Sequence, residues 1–207
     1  EYLKKNGLEK DTLIVFTSDN GYHIGEHGLI DMRNAYESSV RVPMVIYEPG
    51  TVPAGVKNEG RIRNLDFAPT FLDLAGVAKP VQFEGVSAWP LITGQQPASA
   101  WQAPDFVYEY YWEWSFPMTP GTFAIERDRL KYIQYYGVYD TDELYDLAKD
   151  PNEMRNLIDD PAYLDAKITL RDALYKSLAD RQGRHVIPYT KRQAIGSVRR
   201  DINGATS

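Results

Sequence analysis

The sequence predicts an α/β fold followed by a small antiparallel sheet that packs with a terminal helix. Residues 13–16 and 43–47 are short apolar runs of the kind that form strands buried on both faces. Residues 66–75 have apolar positions at helical spacing and are followed by Gly76, a residue typical of helix ends. Several β-rich runs and one long amphipathic run after residue 104 predict the second part.

Before residue 104, predicted strands and helices alternate as in an α/β domain. The predicted elements are a helix end at 1–7, a strand at 12–16, a short helix at 35–40, strands at 43–47 and 61–65, and a helix at 66–75. The last helix should pack on the sheet through one apolar face, formed by Phe67, Phe71, Leu72 and Ala75. Residues 77–103 are loop-rich, and we place the end of the first domain, residues 1–103, there.

Residues 104–183 predict a small α+β subdomain, and residues 184–207 a polar tail with little structure. The predicted elements of the subdomain are a strand at 106–114, a hairpin of 122–126 and 130–136, a closing strand at 143–147, a helix start at Asp150, and a long helix from Asp160 to about Arg181. The long helix should be buried along Leu164, Ile168, Leu174 and Leu178. We expect Lys131, in the hairpin, on a solvated face.

A polar loop, residues 17–21, directly follows the first predicted strand. In open α/β sheets, ligands bind beyond the carboxyl ends of strands, which is where Asp19 and Asn20 would lie. Their carboxylate and amide oxygens suit Ca²⁺ or Mg²⁺. An ordinary turn is the alternative, because Asn-Gly is a favoured turn dipeptide. Two of the three histidines, His23 and His27, follow in the same Gly-rich stretch and favour a functional site.

Three ordered blocks of the sequence carry recognisable motifs. They are SDNGYHIGEHG with the following YES and RVP, then NLD with APTFLD and AG, then ELYDL with DP and NL. Together they resemble the sulfatases of the alkaline-phosphatase superfamily. The resemblance implies an alkaline-phosphatase-like α/β sandwich, of which this chain is the C-terminal part, and the activity of a sulfuric ester hydrolase.

Sulfatases of this kind use a formylglycine nucleophile, made from Cys or Ser in a C/S-x-P-x-R motif, and hold one divalent cation, usually Ca²⁺. The resemblance implies that Asp19 and Asn20 are the later pair of metal ligands. The chain has no Cys, and no Ser is followed by x-Pro-x-Arg. We therefore expect an N-terminal half of the same protein to supply the formylglycine, and this chain alone to be inactive.

Met32 stands where the family commonly carries a Lys that contacts the sulfate. A thioether offers no positive charge to a developing oxyanion. Arg33 is the alternative cation, and together with His23 it is a candidate catalytic residue. His27 is a candidate substrate-binding residue. For both histidines, a structural role in the loop is the alternative interpretation.

Residues 106–114, FVYEYYWEW, are a second notable stretch. Their β-propensity predicts a strand that packs the subdomain. The functional alternative is a sugar platform, in which Trp112 and Trp114 cover apolar sugar faces while Glu109 and Glu113 accept hydrogen bonds from hydroxyl groups.

Composition and charge narrow the possible partners. The chain is 43% hydrophobic, enough for a core, and no run is long enough to span a membrane. A net charge of −6 argues against nucleic acid but leaves room for a locally basic site that binds a sulfated small molecule or glycan. The absence of Cys fits a reducing compartment or a fold without disulfides. Family analogy favours a periplasmic or extracellular location.

Two other functions stay open at the level of sequence. A non-catalytic remnant or pseudoenzyme that binds sulfated glycan would account for Met32 and for the absent nucleophile motif. A related phosphonate or phosphodiester hydrolase is the second. Such enzymes tend to carry Asp-His where this chain has Asp19 and Asn20.

Overall fold

The computed structural model of the protein describes residues 1–136 and 141–181, which form two compact units. Unit 1 comprises Glu1–Met32 and Ser38–Pro104. Unit 2 comprises Arg33–Glu37 and the described residues from Asp105 onward. The tail predicted at 184–207 lies outside the described residues.

Short elements joined by loops make up unit 1. In chain order they are α1 (Tyr2–Lys5), β1 (Ile14–Phe16), β2 (His23–Ile24), β3 (Ile30–Asp31), α2 (Glu37–Val40), β4 (Val45–Tyr47), α3 (Asn64–Leu74) and α4 (Trp89–Ile92). The first residue of α2 belongs to the unit 2 segment, and the rest belongs to unit 1. Single turns of 3-10 helix are formed by Glu9–Asp11, Glu26–Gly28 and Ala98–Ala100.

Strands β1 and β4 pair antiparallel. Ile14 lies opposite Tyr47, and Phe16 lies opposite Val45. Directly opposed residues share a face of the ladder, so these four apolar side chains form one surface. All four are exposed, Phe16 to 66%. The prediction that strand 13–16 is buried on both faces is therefore wrong within the described residues, because none of them covers this surface.

Helix α3 begins at Asn64, so the strand predicted at 61–65 is wrong. The start of the helix is fixed by Arg63, whose N–H donates to Asp66 Oδ2 at 2.9 Å and whose Nη2 donates to Asp66 Oδ1 at 2.8 Å. The predicted apolar face is also wrong, since Phe71 is exposed. The residues that the helix does bury are Asp66, Pro69 and Thr70. A polar contact, rather than apolar spacing, decides which side of α3 is covered.

Unit 2 is a four-stranded antiparallel sheet with a long helix. The strands β5 (Phe106–Tyr110), β6 (Gly121–Arg127), β7 (Leu130–Tyr136) and β8 (Glu143–Asp146) pair in sequence order. The structure contains the hairpin that the sequence predicts, and its turn places Asp128 and Arg129 at φ of 49° and 67°. This left-handed pair suits a two-residue hairpin turn. After a 3-10 turn at Pro161–Tyr163, α5 (Leu164–Asp180) closes the unit.

Both faces of this sheet are covered, as side-chain alternation along strands allows. The core on one face consists of Phe123, Ile125, Tyr132 and Leu144 from the sheet with Leu170, Leu174 and Leu178 from α5. The core on the other face consists of Ala124, Ile133 and Tyr145 from the sheet with Ala35 and Tyr36. The segment Arg33–Glu37 thus packs on the second face of the sheet.

Two details of unit 2 differ from the sequence predictions. No helix begins at Asp150, where the chain forms turns and Glu153 has a φ of 54°, outside the helical region. On α5, the predicted core residues Leu164 and Ile168 are exposed, and Leu170 is buried instead. The buried stripe therefore begins later along the helix than its apolar pattern indicates.

Candidate functional site

Asp19 and Asn20 lie in the loop that follows β1. Asn20 N–H donates to Asp19 Oδ1 at 2.9 Å, and the Ser18 hydroxyl donates to Asn20 O at 2.9 Å. The first residue of α3 adds a contact, because Asn64 Nδ2 donates to Asp19 O at 2.9 Å. The pair is therefore tied to the end of a strand and to the start of a helix.

Gly21, the next residue, allows the loop to approach α2 closely. Its N–H donates to Ser39 O at 2.7 Å. A Cβ atom at this position would lie 2.3 Å from Ser38 O, closer than any side chain tolerates. Glycine is thus required at position 21 by backbone packing, beyond any preference for a turn.

One oxygen on each member of the pair accepts no hydrogen bond from the described residues: Asp19 Oδ2 and Asn20 Oδ1. A carboxylate oxygen and an amide oxygen are hard ligands suited to Ca²⁺ or Mg²⁺. Calcium takes about six to eight oxygens. No group of three or more His, Cys, Asp or Glu residues that could hold a metal occurs in the part of the chain that the structure describes. The pair therefore fits as one part of a cation site.

His23 is a buried member of the same loop. Its side chain has no exposed surface, and Nδ1 lies 2.9 Å from Ser38 Oγ. The His27 ring lies beside it, with centroids 6.3 Å apart and planes at 81°. His27 has a φ of 55°, between the left-handed Gly25 and Gly28. The structure thus brings both histidines together, with His23 inside the loop and His27 partly exposed.

Met32 lies beside the candidate metal pair. Its Sδ is 3.0 Å from Asn20 Nδ2, which also donates to Gly21 O at 2.7 Å. Asp31 has a φ of 129°, a conformation that residues with a side chain rarely adopt, and its Oδ1 accepts from the Met32 N–H. A neutral thioether therefore occupies the place next to Asn20 where the resemblance leads one to expect a lysine.

Arg33 belongs to unit 2 and contacts the loop after β5. Its guanidinium carbon lies 3.4 Å from the centroid of the Phe116 ring, which is a cation–π stack. Its Nε lies 3.8 Å from Glu113 Oε1. The side chain is 21% exposed. The structure thus places this candidate residue among aromatic and acidic side chains of unit 2.

Trp112 and Trp114 lie in that same loop, because β5 ends at Tyr110 and not at residue 114 as predicted. Their rings are 6.1 Å apart at 84°. Trp112 Nε1 donates to Pro117 O at 3.3 Å, whereas Trp114 is 86% exposed. The two indoles form an exposed corner with large apolar surfaces, of the kind that often carries binding energy.

Sequence reasoning missed two buried polar clusters that hold the segment 33–37 in unit 2. In the first, Lys131 Nζ donates to Glu37 Oε1 at 2.6 Å, to Glu153 Oε1 at 2.8 Å and to Ala35 O at 2.9 Å. Lys131 has no exposed surface, so the prediction of a solvated face is wrong. The alternation of β7 could have revealed this, because residue 131 shares a face with core residue 133.

In the second cluster, Glu143 accepts hydrogen bonds from three tyrosines. The hydroxyl of Tyr36 lies at 2.8 Å, that of Tyr145 at 3.0 Å and that of Tyr135 at 3.3 Å. Burial raises the pKa of Glu143 and outweighs these hydrogen bonds. Burial also raises the pKa of Tyr36 to about 12, so the hydroxyl stays a donor at neutral pH. Both clusters tie the segment to the sheet through groups that are costly to bury unpaired.

Comparison with known proteins identifies the family. Residues 25–180 match the family model described as N-sulphoglucosamine sulphohydrolase, C-terminal. The chain belongs to the sulfatases of the alkaline-phosphatase superfamily. The resemblance seen in the three sequence blocks is therefore confirmed, and with it the assignment to the C-terminal portion.

One curated relative is the N-acetylglucosamine-6-O-sulfatase of Bacteroides thetaiotaomicron, 38% identical over 164 residues, which cover 78% of this chain and 29% of the relative. A solved structure in complex with its substrate D-glucosamine-2-N,6-O-disulfate is 34% identical, with a TM-score of 0.77 over 88% of this chain and 37% of that one. The phosphonate monoester hydrolase of Agrobacterium radiobacter is 25% identical, with a TM-score of 0.70 over 98% of this chain and 40% of that one.

These matches confirm the predicted fold class, the C-terminal part of an alkaline-phosphatase-like α/β fold. The chain spans about a third of the length of the proteins that it matches. Among the described helices, none is both long and apolar enough to cross a membrane.

Proposed function

We propose that the protein is a sulfuric ester hydrolase that acts on sulfated carbohydrate, and that Asp19 and Asn20 hold its divalent cation. The observation that carries this proposal is the pair itself. Each residue presents an oxygen that accepts no hydrogen bond from the described residues, directly after a strand, in a chain that matches sulfatases. When bound, a Ca²⁺ or Mg²⁺ ion would supply Lewis-acid polarisation of the sulfate oxygens.

The remaining ligands and the nucleophile belong to a further part of the same protein. Two oxygens fall well short of a full calcium shell, which is consistent with a site completed by carboxylates from an N-terminal part. A formylglycine supplied by that part would act as the nucleophile. The exposed apolar surface of β1 and β4 is consistent with a fold in which additional strands or helices pack against unit 1.

Within the loop, this chain's own residues position the pair. His23 is buried and contacts Ser38, and we assign it the role of fixing the loop geometry around Asn20. His27 is more exposed and is the better candidate to donate a hydrogen bond to a substrate oxygen. Met32 adds no charge, so the cation that neutralises the sulfate must come from elsewhere.

The substrate class rests on the aromatic corner of Trp112 and Trp114. Flat, exposed indoles suit the apolar faces of sugar rings. Two matched proteins support a sugar as the substrate. One is named N-acetylglucosamine-6-O-sulfatase, and the other was solved in complex with its substrate, a disulfated glucosamine.

The test uses the full-length protein and paired aryl sulfate and aryl phosphate substrates. Asp19→Asn and Asn20→Ala should each lower the bound metal content and reduce kcat/KM for the sulfate by at least about a hundredfold, because the first removes the charge of a metal ligand and the second removes a ligand oxygen. Asn6→Ala removes the same group at an exposed position in the cap of α1 and should change neither. Metal content that is unchanged by both loop variants would refute the assignment.

A phosphonate or phosphodiester hydrolase is the second candidate, favoured by the structural match that covers 98% of this chain. The two candidates predict different preferences. A sulfatase should show the higher kcat/KM on the aryl sulfate, whereas a phosphonate hydrolase should show it on a phosphonate monoester. A protein that binds sulfated sugar and cleaves neither ester would be the non-catalytic binder.

A further inference from the structure

Met32 completes a ring of hydrogen bonds beside the candidate metal pair. The side chain of Asn20 donates to Met32 Sδ, and the carbonyl of Met32 accepts from the hydroxyl of Ser39. The carbonyl of Ser39 in turn accepts from the N–H of Gly21, the residue that follows Asn20. All four residues belong to unit 1. The sulfur is therefore held next to the Asn20 amide by contacts that begin and end in the same loop.

The backbone of Met32 is fixed on both sides. The N–H of Met32 donates to Asp31 Oδ1, and Asp31 has a φ of 129°. The carbonyl of Met32 contacts Ser39, which is 1% exposed. The side chain of methionine is flexible, but a fixed and partly buried backbone limits the positions that its sulfur can reach.

The orientation of the Asn20 amide depends on two acceptors. An amide nitrogen carries two donor hydrogens, and Asn20 Nδ2 donates to Gly21 O at 2.7 Å and to Met32 Sδ at 3.0 Å. Both donors are thus used within unit 1, which leaves Oδ1 as the ligand oxygen. The reverse orientation would place Oδ1 against a carbonyl oxygen and a thioether sulfur, neither of which has a hydrogen to donate.

A lysine at position 32 would act on the Asn20 amide in the opposite way. An ammonium group is a donor only, so it cannot accept from Nδ2 and would attract Oδ1 away from a metal ion. It would also place a positive charge beside a cation site, where like charges repel. The thioether has neither effect. It is a weak acceptor, so the stabilisation that it gives to the amide orientation is modest.

We propose that Met32 is a positioning residue of the cation site, because its sulfur holds the Asn20 amide in the orientation that leaves Oδ1 available to the metal ion. The inference rests on the proposed function, which takes Asp19 and Asn20 as metal ligands. It gives the residue that departs from the family pattern a role in metal binding, in place of contact with the sulfate.

The test measures the affinity of the full-length protein for Ca²⁺ by calorimetric titration after the bound metal has been removed. Met32→Leu preserves an apolar side chain of similar size but lacks the acceptor. It should weaken Ca²⁺ binding about threefold, the lower part of the range for one lost hydrogen bond. Met32→Gln offers a carbonyl oxygen to Nδ2 and should restore the affinity to within about twofold of wild type. Met32→Lys should weaken binding by at least about tenfold, since it adds a donor and a charge.

A double-mutant cycle separates positioning from a general loss of structure. Asn20→Asp replaces the amide by a carboxylate, which has no hydrogen to donate to the sulfur. In that background Met32→Leu should no longer weaken Ca²⁺ binding, whereas a merely structural role of Met32 would persist. Met154→Leu removes a methionine sulfur at a position of unit 2 that is 77% exposed, and it should leave the affinity unchanged. The far-UV circular dichroism of each variant confirms that it is folded.

Three results would overturn the inference: wild-type affinity in Met32→Leu, a weakening that persists in the Asn20→Asp background, or the absence of Ca²⁺ binding in wild type. A Met32→Gln variant that binds as weakly as Met32→Leu would also overturn it. The proposed function fails separately, through absent hydrolysis of an aryl sulfate. Ca²⁺ binding that depends on Met32 in a protein without hydrolysis would uphold the inference and refute the hydrolase. Hydrolysis by a protein whose Ca²⁺ affinity does not depend on Met32 would do the reverse.

Discussion

Units 1 and 2 differ most in what they bury. The buried hydrophobic residues described in unit 1 are Ala88 and Leu91 alone, whereas unit 2 builds a core on both faces of its sheet. The ladder of β1 and β4, by contrast, exposes four apolar side chains on one surface. Because apolar burial is the main source of stability, unit 2 has the means to fold by itself, whereas unit 1 lacks a comparable core within the described residues.

The two units also use buried charge differently. In unit 1, Asp66 and Arg63 form one compact pair at the start of a helix. In unit 2, Lys131 faces two carboxylates, Glu37 and Glu153, and all three serve to hold a short chain segment on the sheet. Burying these charges costs desolvation free energy, which offsets much of the attraction between them. We therefore expect the network to fix the position of the segment 33–37 more than to increase the stability of unit 2.

The largest effect should follow from removing the amine at the centre of that network. Lys131→Met leaves the Glu153 carboxylate buried without its cationic partner, with only the Glu37 N–H still donating to it, and should destabilise unit 2 by about 3–5 kcal/mol. Lys176→Met, which breaks an exposed ion pair with Asp180, should cost less than about 1 kcal/mol. Hydrogen exchange of peptides that cover 121–136, followed by mass spectrometry, measures both changes.

The double variant Lys131→Met, Glu153→Gln sharpens this prediction. It removes the charge that the single variant leaves unpaired, so it should recover part of the lost protection. If the single and double variants were equally destabilised, the loss would arise from packing rather than from the unpaired carboxylate.

A matched pair of truncations tests the difference between the cores. Leu174→Ala deletes a fully buried side chain of α5 and should cost about 3 kcal/mol in unit 2. Phe16→Ala deletes a larger side chain that is 66% exposed and should change the exchange free energy of unit 1 by less than about 0.5 kcal/mol. A costly Phe16→Ala in this chain would show that the β1–β4 surface is already covered.

The stability of the two units should also depend on pH in opposite directions, and this effect should be smaller than those of the substitutions above. Burial would raise the pKa of Asp66, but hydrogen bonds from Arg63 and from the Val86 N–H outweigh it and lower the pKa below 3.8. Burial raises the pKa of Glu143 above 4.5. The stability that Asp66 contributes is present above pH 3.8 and is lost as the pH falls through the lowered pKa of Asp66. The stability that Glu143 contributes is present below pH 4.5 and is lost as the pH rises through the raised pKa of Glu143.

Hydrogen exchange of each unit at several pH values between 3 and 7 can follow these two contributions. Glu143→Gln should flatten the decline of unit 2 stability as the pH rises above 4.5. Asp66→Asn should flatten the loss of unit 1 stability below pH 3.8. A pH slope that either substitution leaves unchanged in its own unit would contradict the assigned protonation behaviour of that residue.

The elements that the sequence predicts best are those with a local cause. The hairpin of β6 and β7 follows from alternation and a turn of Asp128 and Arg129, and α5 begins after Asp160, whose carboxylate accepts from the Ala162 N–H. The position of Asp19 after β1 likewise needs only a short apolar run and the polar residues that follow. These features depend on neighbours in the chain, so local pattern is sufficient.

Features that depend on contacts between distant residues are not predicted from the sequence. Lys131 is buried because carboxylates more than twenty positions away meet it, and α3 turns a polar side inward because Val86 N–H reaches Asp66. The location of Arg33 on Phe116 depends on a segment that leaves unit 1 and lines the sheet of unit 2. Alternation along β7 indicates that residue 131 shares a face with core residue 133, but no periodicity in the sequence identifies the distant partners of these residues.

The most direct test of the sulfatase assignment is to determine the sequence of the native polypeptide upstream of Glu1, from the reading frame or by peptide mapping. We predict a Cys or Ser followed by x-Pro-x-Arg, preceded by acidic residues that complete the cation site of Asp19 and Asn20. A native polypeptide without that motif would contradict hydrolysis by a formylglycine and would leave binding of sulfated sugar as the function.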